Sequence, residues 1–175
     1  MNLIKLFLLG ASGYLLLGLF DLAQIKQKEL LGRILAVGFL VTALPYPLML
    51  IRYRSVHPPL LGMVLLIMVI ASALATIYVA ALEIPLSHTG AGEVYSRGSY
   101  RRIRHPGFVL HLAFNTLFAL YLFDGAVALL CLLFVACNLA LVTIEDCIFF
   151  PRLFPGYDDY KETTGFLLPK RRGHR

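Results

Sequence analysis

Long apolar runs, separated by shorter polar segments, set the pattern of this chain. A helix needs about 20 mostly apolar residues to cross the hydrocarbon core of a bilayer. Five runs reach or approach that length: Leu3–Phe20, Leu30–Ile51, Leu60–Ile84, Phe108–Phe123 and Gly125–Ile144. The pattern predicts an all-α fold, a polytopic membrane helical bundle with about five transmembrane helices. The first and fourth runs are short, and we expect these helices to extend into their polar flanks.

The composition also favours a membrane protein. Of the 175 residues, 59% are hydrophobic and 15% are charged, whereas a soluble domain has about 45–50% apolar and about 25% charged residues. These values exclude a water-soluble globule and an intrinsically disordered chain. We expect residues 1–175 to form a single domain, with three transmembrane helices in 1–84 and a loop, a helical hairpin and a tail in 85–175. The first run lacks a small-x-small cleavage site before Asp21, so we expect it to be retained as a span.

The lysines and arginines are distributed unevenly around the five predicted spans. Of these 16 residues, 13 lie on the side that holds the loop after the first run, the loop after the third run and the C-terminus. Because basic loops tend to stay in the cytoplasm, we expect the N-terminus outside and the C-terminus in the cytoplasm. Basic residues next to spans orient helices and contact anionic lipid. We therefore expect the basic residues responsible for the net charge of +6 to contact membrane lipid and not nucleic acid.

Neither the cysteines nor a short glycine motif indicates a metal or nucleotide site. Cys131, Cys137 and Cys147 have no Cys-x-x-Cys spacing, and we interpret them as small apolar residues. Gly90-Ala91-Gly92 follows no strand and lacks the Gly-x-Gly-x-x-Gly spacing of a dinucleotide fold, so we interpret it as a flexible turn. No metal site is expected, and no residue pattern indicates an oligomeric state.

Two polar segments interrupt or follow the apolar runs: residues 85–104 and the C-terminal tail. A tight turn at Asp124-Gly125 is predicted to join the last two runs into an antiparallel hairpin. The hairpin brings both polar segments to the same cytoplasmic face. Irregular backbone is tolerated at membrane depth where it lines a cavity, so we expect any active site at this face.

The densest group of candidate residues is Gly98-Ser99-Tyr100-Arg101-Arg102-Ile103-Arg104-His105-Pro106. Pro106 suits the first turn of a helix, because its missing N–H would be unpaired there, and His105 then lies at the start of that helix. An imidazole beside an arginine can hydrogen-bond an anionic or carboxylate-bearing ligand. The alternative is a basic loop that anchors a span at the lipid headgroups.

Two adjacent carboxylates, Glu145 and Asp146, follow the last apolar run. One interpretation is a helix end in water at the membrane surface. However, the helix dipole disfavours negative charge at a C-terminus, and an apolar stretch continues beyond the pair. We therefore expect a positive or hydrogen-bond-donating group to meet them, either Arg101 or Arg104 from the long loop or a ligand.

Four other side chains are candidates, each with a structural alternative. His111 and Asn115 are four residues apart and share a helix face. Asn115 either faces a polar cavity or bonds to a neighbouring helix, whereas His111 is expected to pack or to lie at the interface. Tyr157 and Tyr160 share one face of a short helix in the tail, which could also be an interfacial segment with aromatic anchors.

Together these motifs resemble the isoprenylcysteine carboxyl methyltransferase and phospholipid methyltransferase superfamily of integral membrane enzymes. That family has Gly-x-Tyr-x-x-x-Arg-His-Pro-x-Tyr, a helical hairpin, Glu-Glu, then Phe-Gly-x-x-Tyr-x-x-Tyr and a proline. The matching positions here are Gly98, Tyr100, Arg104, His105, Pro106, Phe108, Glu145, Asp146, Phe154, Tyr157, Tyr160 and Pro169. The chain departs from the family at Phe108, where tyrosine is usual, at Leu110, where glycine is common, and at Asp146, where the family has glutamate.

The resemblance implies a membrane-embedded methyltransferase that uses S-adenosyl-L-methionine and a lipophilic methyl acceptor. The acceptor classes are an isoprenylcysteine carboxylate, a phospholipid amine and a hydrophobic thiol. It further implies a C-terminal cytoplasmic cofactor-binding region, with His105, Arg104 and Glu145 as catalytic residues. The implied cofactor-binding residues are Gly98, Tyr100, Arg104, His105, Pro106, Asn115, Glu145, Asp146, Tyr157 and Tyr160.

Two other classes of function stay open from the sequence. One is an NADPH-dependent membrane reductase acting on a sterol or similar lipid, since such reductases have a similar Arg-His-Pro-like region but are usually much longer. The other is a non-catalytic membrane protein, either a scaffold or a transporter subunit. The spans show no inverted repeat, a feature of many transporters.

Overall fold

The computed structural model describes residues 2–86 and 93–170, with the side chains of residues 85 and 86 excepted. Within these residues every named regular element is helical, as the apolar pattern predicts. The expected flexible turn at Gly90-Ala91-Gly92 lies outside the described residues, as do Arg171, Arg172 and Arg175 of the basic tail.

The N-terminal part forms one long helix and one segmented helix. Helix α1 (Leu3–Ile25) begins where the Asn2 side chain accepts a hydrogen bond from the Lys5 backbone N–H at 3.0 Å. The second predicted span consists of three short helices, α2 (Glu29–Leu35), α3 (Gly38–Ala43) and α4 (Pro45–Arg52). Pro45 and Pro47 have no backbone N–H to donate, which interrupts the helical hydrogen bonds before α4.

Glycines let α1 and α3 approach each other closely. A side-chain carbon added at Gly13 would lie 2.6 Å from the backbone nitrogen of Thr42 and 3.0 Å from the carbonyl oxygen of Gly38. Small residues at such contacts allow close helix packing within a membrane. Larger residues at Gly13 would therefore separate the two helices.

The remaining helices include two π-helical turns. Helix α5 (Pro59–Ile77) continues through a π-helical turn, Tyr78–Leu82, into α6 (Glu83–Leu86). After the loop come a 3-10 turn (Gly98–Arg101), α7 (Pro106–Leu122) and α8 (Gly125–Ile144). Helix α8 runs through a second π-helical turn (Glu145–Phe149) into α9 (Phe150–Leu153), which precedes α10 (Tyr157–Thr163). The predicted position of Pro106 in the first turn of a helix is confirmed.

The predicted tight hairpin between the last two runs is also confirmed. Phe123 adopts a left-handed conformation with φ 48°, which ends α7. The Asp124 side chain then caps α8 by accepting hydrogen bonds from the backbone N–H groups of Ala126 at 2.9 Å and Val127 at 3.1 Å. A capping carboxylate satisfies donors that have no partner within the helix, so α7 and α8 run antiparallel side by side.

The core of the bundle is apolar and aromatic, and so is much of its outer surface. Met49, Phe118 and Phe134 are at most 1% exposed. Many large aliphatic side chains face outward, and Ile67 and Leu132 are 59% and 64% exposed. Exposed apolar surface of this extent is typical of a protein that contacts lipid.

Four helices are long and apolar enough to cross a membrane: Leu3–Ile25, Glu29–Arg52, Pro59–Leu82 and Gly125–Leu153. They correspond to the first, second, third and fifth predicted runs. The fourth run forms α7, which has 17 residues and is about 26 Å long at about 1.5 Å per residue. It is therefore slightly shorter than a hydrocarbon core of about 30 Å. The chain is a multi-helix membrane protein by the length and composition of its helices.

Candidate functional site

Five ionisable side chains from three segments distant in the sequence meet at one end of the bundle. The charged cluster consists of Arg104, His105, Glu145, Asp146 and Tyr157. The first two come from the end of the long loop, the carboxylates from the π-helical turn after α8, and the tyrosine from α10. The structure therefore joins the loop, the hairpin and the tail.

Arg104 forms the central ion pair of the charged cluster. Its Nε donates to Asp146 Oδ1 at 2.7 Å and its Nη2 donates to Asp146 Oδ2 at 3.0 Å, a two-point geometry that is strong and orientation-specific. Both side chains are 9% exposed. Burial lowers the pKa of Arg104, but the hydrogen bond and charge of Asp146 outweigh it and raise this pKa above its usual value. Arg104 thus meets the carboxylates as expected, whereas Arg101, the other expected partner, is exposed.

Arg104 also fastens the tail to the rest of the site. Its Nη1 donates to the carbonyl oxygens of Lys161 at 3.3 Å and Thr164 at 2.5 Å. Its backbone N–H donates to the carbonyl oxygen of Gly165 at 2.8 Å. These contacts and those with Asp146 use all three guanidinium nitrogens. Arg104 is therefore placed to hold Asp146 and the tail in position.

His105 lies at the start of α7 and is 5% exposed. Its Nε2 is 3.3 Å from Asp146 Oδ1, and its Nδ1 is 3.8 Å from Glu145 Oε2. Burial lowers the pKa of His105 to about 4, so the imidazole is neutral at pH 7. Because an ionised carboxylate only accepts hydrogen bonds, we assign the proton to Nε2, facing Asp146. The Nδ1 lone pair then faces Glu145.

Aromatic rings enclose the imidazole of His105. The Phe150 ring stacks on it with a centroid distance of 5.8 Å and an interplanar angle of 12°. The Phe166 ring meets its edge at 5.1 Å and 70°. These rings exclude water, which explains the desolvation of His105. Neither phenylalanine was among the candidate residues, because an isolated aromatic residue does not form a recognisable sequence motif.

The π-helical turn directs the two adjacent carboxylates to different partners. Asp146 faces Arg104, whereas the Glu145 side chain faces Asp21, near the C-terminal end of α1. π-helical turns occur often at functional sites. Asp21 is 8% exposed and was not among the candidates.

Two tyrosines of α10 close the tail over the loop, on the shared helix face that the sequence predicts. The Tyr157 hydroxyl donates to Asp146 Oδ1 at 2.9 Å, and the Tyr160 hydroxyl donates to the carbonyl oxygen of Tyr100 at 2.5 Å. Burial, followed by the hydrogen bond to Asp146, raises the pKa of Tyr157. Burial raises the pKa of Tyr160 to about 12. Both hydroxyls therefore stay protonated and act as donors.

Gly98 and Tyr100 lie next to a further carboxylate, Glu83, and not in direct contact with the charged cluster. Gly98 has a φ of 50°, and a side chain there would collide with the Glu83 carboxylate. The Tyr100 hydroxyl donates to the carbonyl oxygen of Val79 in the first π-helical turn at 3.1 Å. Glu83 was also missed, although it ends an apolar run just as Asp21 and Glu145 do.

Asn115 lies in a separate polar network inside the bundle. It is 1% exposed, and its Oδ1 accepts a hydrogen bond from the Tyr46 hydroxyl at 3.0 Å. Its Nδ2 is 3.1 Å from His111 Nε2, which is 2.8 Å from the Tyr14 hydroxyl. Ten residues of helix separate Asn115 from His105, about 15 Å along the axis. The structure thus does not bring Asn115 to the charged cluster, and its contacts are those of the helix-to-helix alternative.

An apolar cleft lies at the opposite end of the hairpin from the charged cluster. It has a volume of about 520 Å³ and is lined by residues of α7 and α8, including Ala119, Phe123 and Leu132. Cys131, one of its lining residues, is buried, Cys137 is half-buried and Cys147 is exposed, and all three are free thiols. Among the described residues no group of three or more His, Cys, Asp or Glu side chains is arranged to hold a metal ion.

Comparisons of this chain with protein-family models, with curated proteins and with solved structures found no match. The function is therefore inferred from the charged cluster and from the motifs quoted above.

Proposed function

We propose that this protein is a membrane-embedded methyltransferase that uses S-adenosyl-L-methionine and methylates a lipophilic acceptor. The observation that carries the proposal is the convergence of the loop, the hairpin and the tail on the charged cluster. These are the three segments in which the sequence resembles integral membrane methyltransferases. A purely structural basic loop would not need a buried histidine held between two carboxylates.

The residues around the cluster fit the polar groups of this cofactor. Its amino group and ribose hydroxyls need acceptors, for which the carboxylates of Glu145 and Glu83 are suited. Its adenine needs aromatic or apolar surfaces, such as those of Phe150 and Phe166. Positive charge, including that of a sulfonium, is favoured near aromatic faces and carboxylates. When bound, the cofactor supplies an activated methyl group.

The side chains of the charged cluster have distinct roles in this proposal. His105 is neutral, and its Nδ1 can take a proton from an amine or thiol acceptor, whereas a carboxylate acceptor needs no such base. Glu145 accepts hydrogen bonds from the cofactor. Arg104 acts through Asp146 as a positioning residue, because four of its five N–H donors are already occupied. Tyr157 and Tyr160 hold the tail closed, and orientation of this kind supplies much of the acceleration of a two-reactant transfer.

We infer that α7 also crosses the membrane, so that the chain has five spans. It begins beside Asp146, which follows the end of α8, and it ends beside Asp124, which begins α8. It therefore runs along the whole of α8, and if α8 crosses the bilayer, α7 crosses with it. With five spans, the positive-inside rule places the N-terminus outside and the charged cluster in the cytoplasm. The acceptor would enter from the bilayer between helices.

A methyl-transfer assay tests the proposed reaction. Detergent-solubilised protein is incubated with S-adenosylmethionine carrying a tritiated methyl group and with a prenylcysteine, a phospholipid amine, a lipid thiol or a small hydrophobic thiol. We expect label in one acceptor class, and at least a tenfold lower rate for His105→Ala and Glu145→Gln, since general acid–base residues contribute about 100-fold or more. Asp158→Asn, at a side chain that is 79% exposed, is the matched control. NADPH oxidation without methyl transfer would instead favour the reductase.

A further inference from the structure

Glu83 is a buried carboxylate outside the charged cluster. It is 6% exposed and follows the π-helical turn at the end of α5. Its Oε1 accepts a hydrogen bond from the Ser99 backbone N–H at 2.8 Å and a long one from the Tyr95 hydroxyl at 3.4 Å. No donor among the residues in the described ranges reaches its other oxygen, Oε2. A buried carboxylate oxygen without a donor is costly.

No cation of the described part of the chain compensates this carboxylate. The ion pairs there involve Glu29, Glu145, Asp146 and Asp158, but not Glu83. The arginines of the same loop, Arg97, Arg101 and Arg102, are exposed. A carboxylate that is kept buried and half satisfied is suited to receive a charged partner from outside the chain.

The surroundings of the Glu83 carboxylate favour an organic cation over a metal ion. The Tyr95 and Tyr100 rings lie edge to face with centroids 5.5 Å apart, and the Tyr100 hydroxyl is fixed by Val79. Gly98, at φ 50°, brings bare backbone against the carboxylate. A carboxylate with aromatic neighbours is the usual environment for an ammonium group, whereas Ca²⁺ and Mg²⁺ need several oxygen ligands.

We propose that Glu83, together with Tyr95 and Tyr100, binds the ammonium group of a ligand, with Oε2 accepting its N–H. This inference rests on the proposed function, which offers two sources of an ammonium group. One is the amino group of the adenosyl cofactor, and the other is the headgroup amine of a lipid acceptor. Binding requires the loop at Tyr95–Ser99 to move away from the Glu83 carboxylate. The longer of the two hydrogen bonds between this loop and the carboxylate comes from the Tyr95 hydroxyl.

Two matched ligand pairs distinguish these sources in a calorimetric binding experiment. The first is S-adenosylhomocysteine and its analogue with a keto group in place of the amine. The second is dihexanoyl phosphatidylethanolamine and dihexanoyl phosphatidylglycerol. Each ligand is titrated into full-length wild-type protein, Glu83→Gln and Glu93→Gln in detergent. Glu93 is an exposed carboxylate of the same loop and provides the control.

We expect wild-type protein and Glu93→Gln to prefer the ammonium-bearing member of one pair by about tenfold or more, the value of a hydrogen bond to a charged group. Glu83→Gln should lose that preference, and the pair affected identifies the source. The proposal is overturned if wild-type protein shows no preference in either pair, or if Glu83→Gln keeps it. If Glu83→Gln does not fold, Glu83→Asp is titrated in its place. An unchanged preference for the ammonium-bearing ligand in Glu83→Asp would then overturn the proposal.

The two proposals fail in different ways in this experiment. If folded wild-type protein binds neither adenosyl ligand, the proposed methyltransferase function is lost, while a preference for phosphatidylethanolamine would still support the Glu83 site. If both adenosyl ligands bind equally to wild-type protein and to Glu83→Gln, and no lipid preference is seen, the Glu83 site alone is lost.

Discussion

Arg104 is the residue on which most of the candidate site depends. It binds both oxygens of Asp146 and two carbonyl groups of the tail. Without it, Asp146 would keep the Tyr157 hydroxyl and the His105 ring as its partners and would lose its countercharge. An uncompensated carboxylate in a buried environment is strongly destabilising.

The Arg104→Ala variant should therefore lose about 3–5 kcal/mol of unfolding free energy, the usual cost of removing one partner of a buried ion pair. Arg101→Ala removes an exposed arginine and should cost less than about 0.5 kcal/mol. Chemical unfolding in detergent, followed by tyrosine fluorescence, measures both values. Equal stability of the two variants would show that the ion pair is not structural.

His105 should make stability depend on pH. Its pKa is lowered from 6.5 to about 4 by burial, so below pH 6.5 the unfolded chain takes up a proton that the folded chain refuses. The stabilisation is complete above about pH 6.5 and is lost as the pH falls towards 4. We expect the drop in melting temperature between pH 7 and pH 5 to be smaller in His105→Gln than in wild-type protein. An identical drop in both would contradict the burial of a neutral imidazole.

Only some of these residue contacts could be predicted from the sequence. The pairing of a loop arginine with the carboxylates followed from the cost of leaving them alone at a helix C-terminus. Asp21 and Glu83 were missed because each is a single carboxylate near the end of an apolar run, where contact with water is the ordinary expectation. The sequence does hold a signal: Asp21, Glu83 and Glu145 lie at or next to the C-terminal ends of odd-numbered apolar runs, which places them on the same side of a five-span bundle.

At the scale of helices, α7 links the two halves of the bundle through Asn115. This side chain accepts from Tyr46 of α4 and lies beside His111, which contacts Tyr14 of α1. The network crosses three helices in an otherwise apolar core. It therefore fixes the rotation of α7, and with it the direction in which His105 enters the charged cluster.

The Asn115→Leu variant should lose about 1–3 kcal/mol of stability, because it leaves the buried Tyr46 hydroxyl without its acceptor. Affinity for adenosyl ligands should change little, since Asn115 is remote from the cluster. Thr116→Ala, on the exposed neighbouring position, is the control. A large loss of affinity for adenosyl ligands at unchanged stability would instead show that Asn115 belongs to the cofactor site, as the family resemblance implies.

The extents of the helices follow from the apolar pattern, but their irregularities do not. The predicted runs end close to the observed helices, and Pro106 and Asp124-Gly125 mark a helix start and a turn by local chemistry alone. The break before α4 follows from Pro45 and Pro47, whereas the break between α2 and α3 and the two π-helical turns have no marker in the sequence. The π-helical turns matter most, because they direct Glu145, Asp146 and Val79 to their partners.

At the scale of the whole molecule, the proposed five-span topology places the hairpin turn and the tail on opposite sides of the membrane. This follows from five spans and from the excess of basic residues on one side. Single cysteines at Asp124 and Asp158, introduced into a chain whose three cysteines are replaced by alanine, test it. A membrane-impermeant maleimide applied to intact cells should label the Asp124 position only. Labelling of both positions, or of Asp158 alone, would contradict a spanning α7 or the proposed orientation.

Equilibrium binding measures directly whether the charged cluster binds S-adenosylmethionine, as we propose. Wild-type protein, Glu145→Gln and the control Asp158→Asn are titrated with S-adenosylhomocysteine and with NADPH in the same detergent, and their folding is checked by thermal unfolding. We expect saturable binding of S-adenosylhomocysteine by wild-type protein and the control, at least about tenfold weaker binding by Glu145→Gln, and no binding of NADPH. Folded wild-type protein that binds NADPH, or that binds no adenosyl ligand, would contradict the proposal.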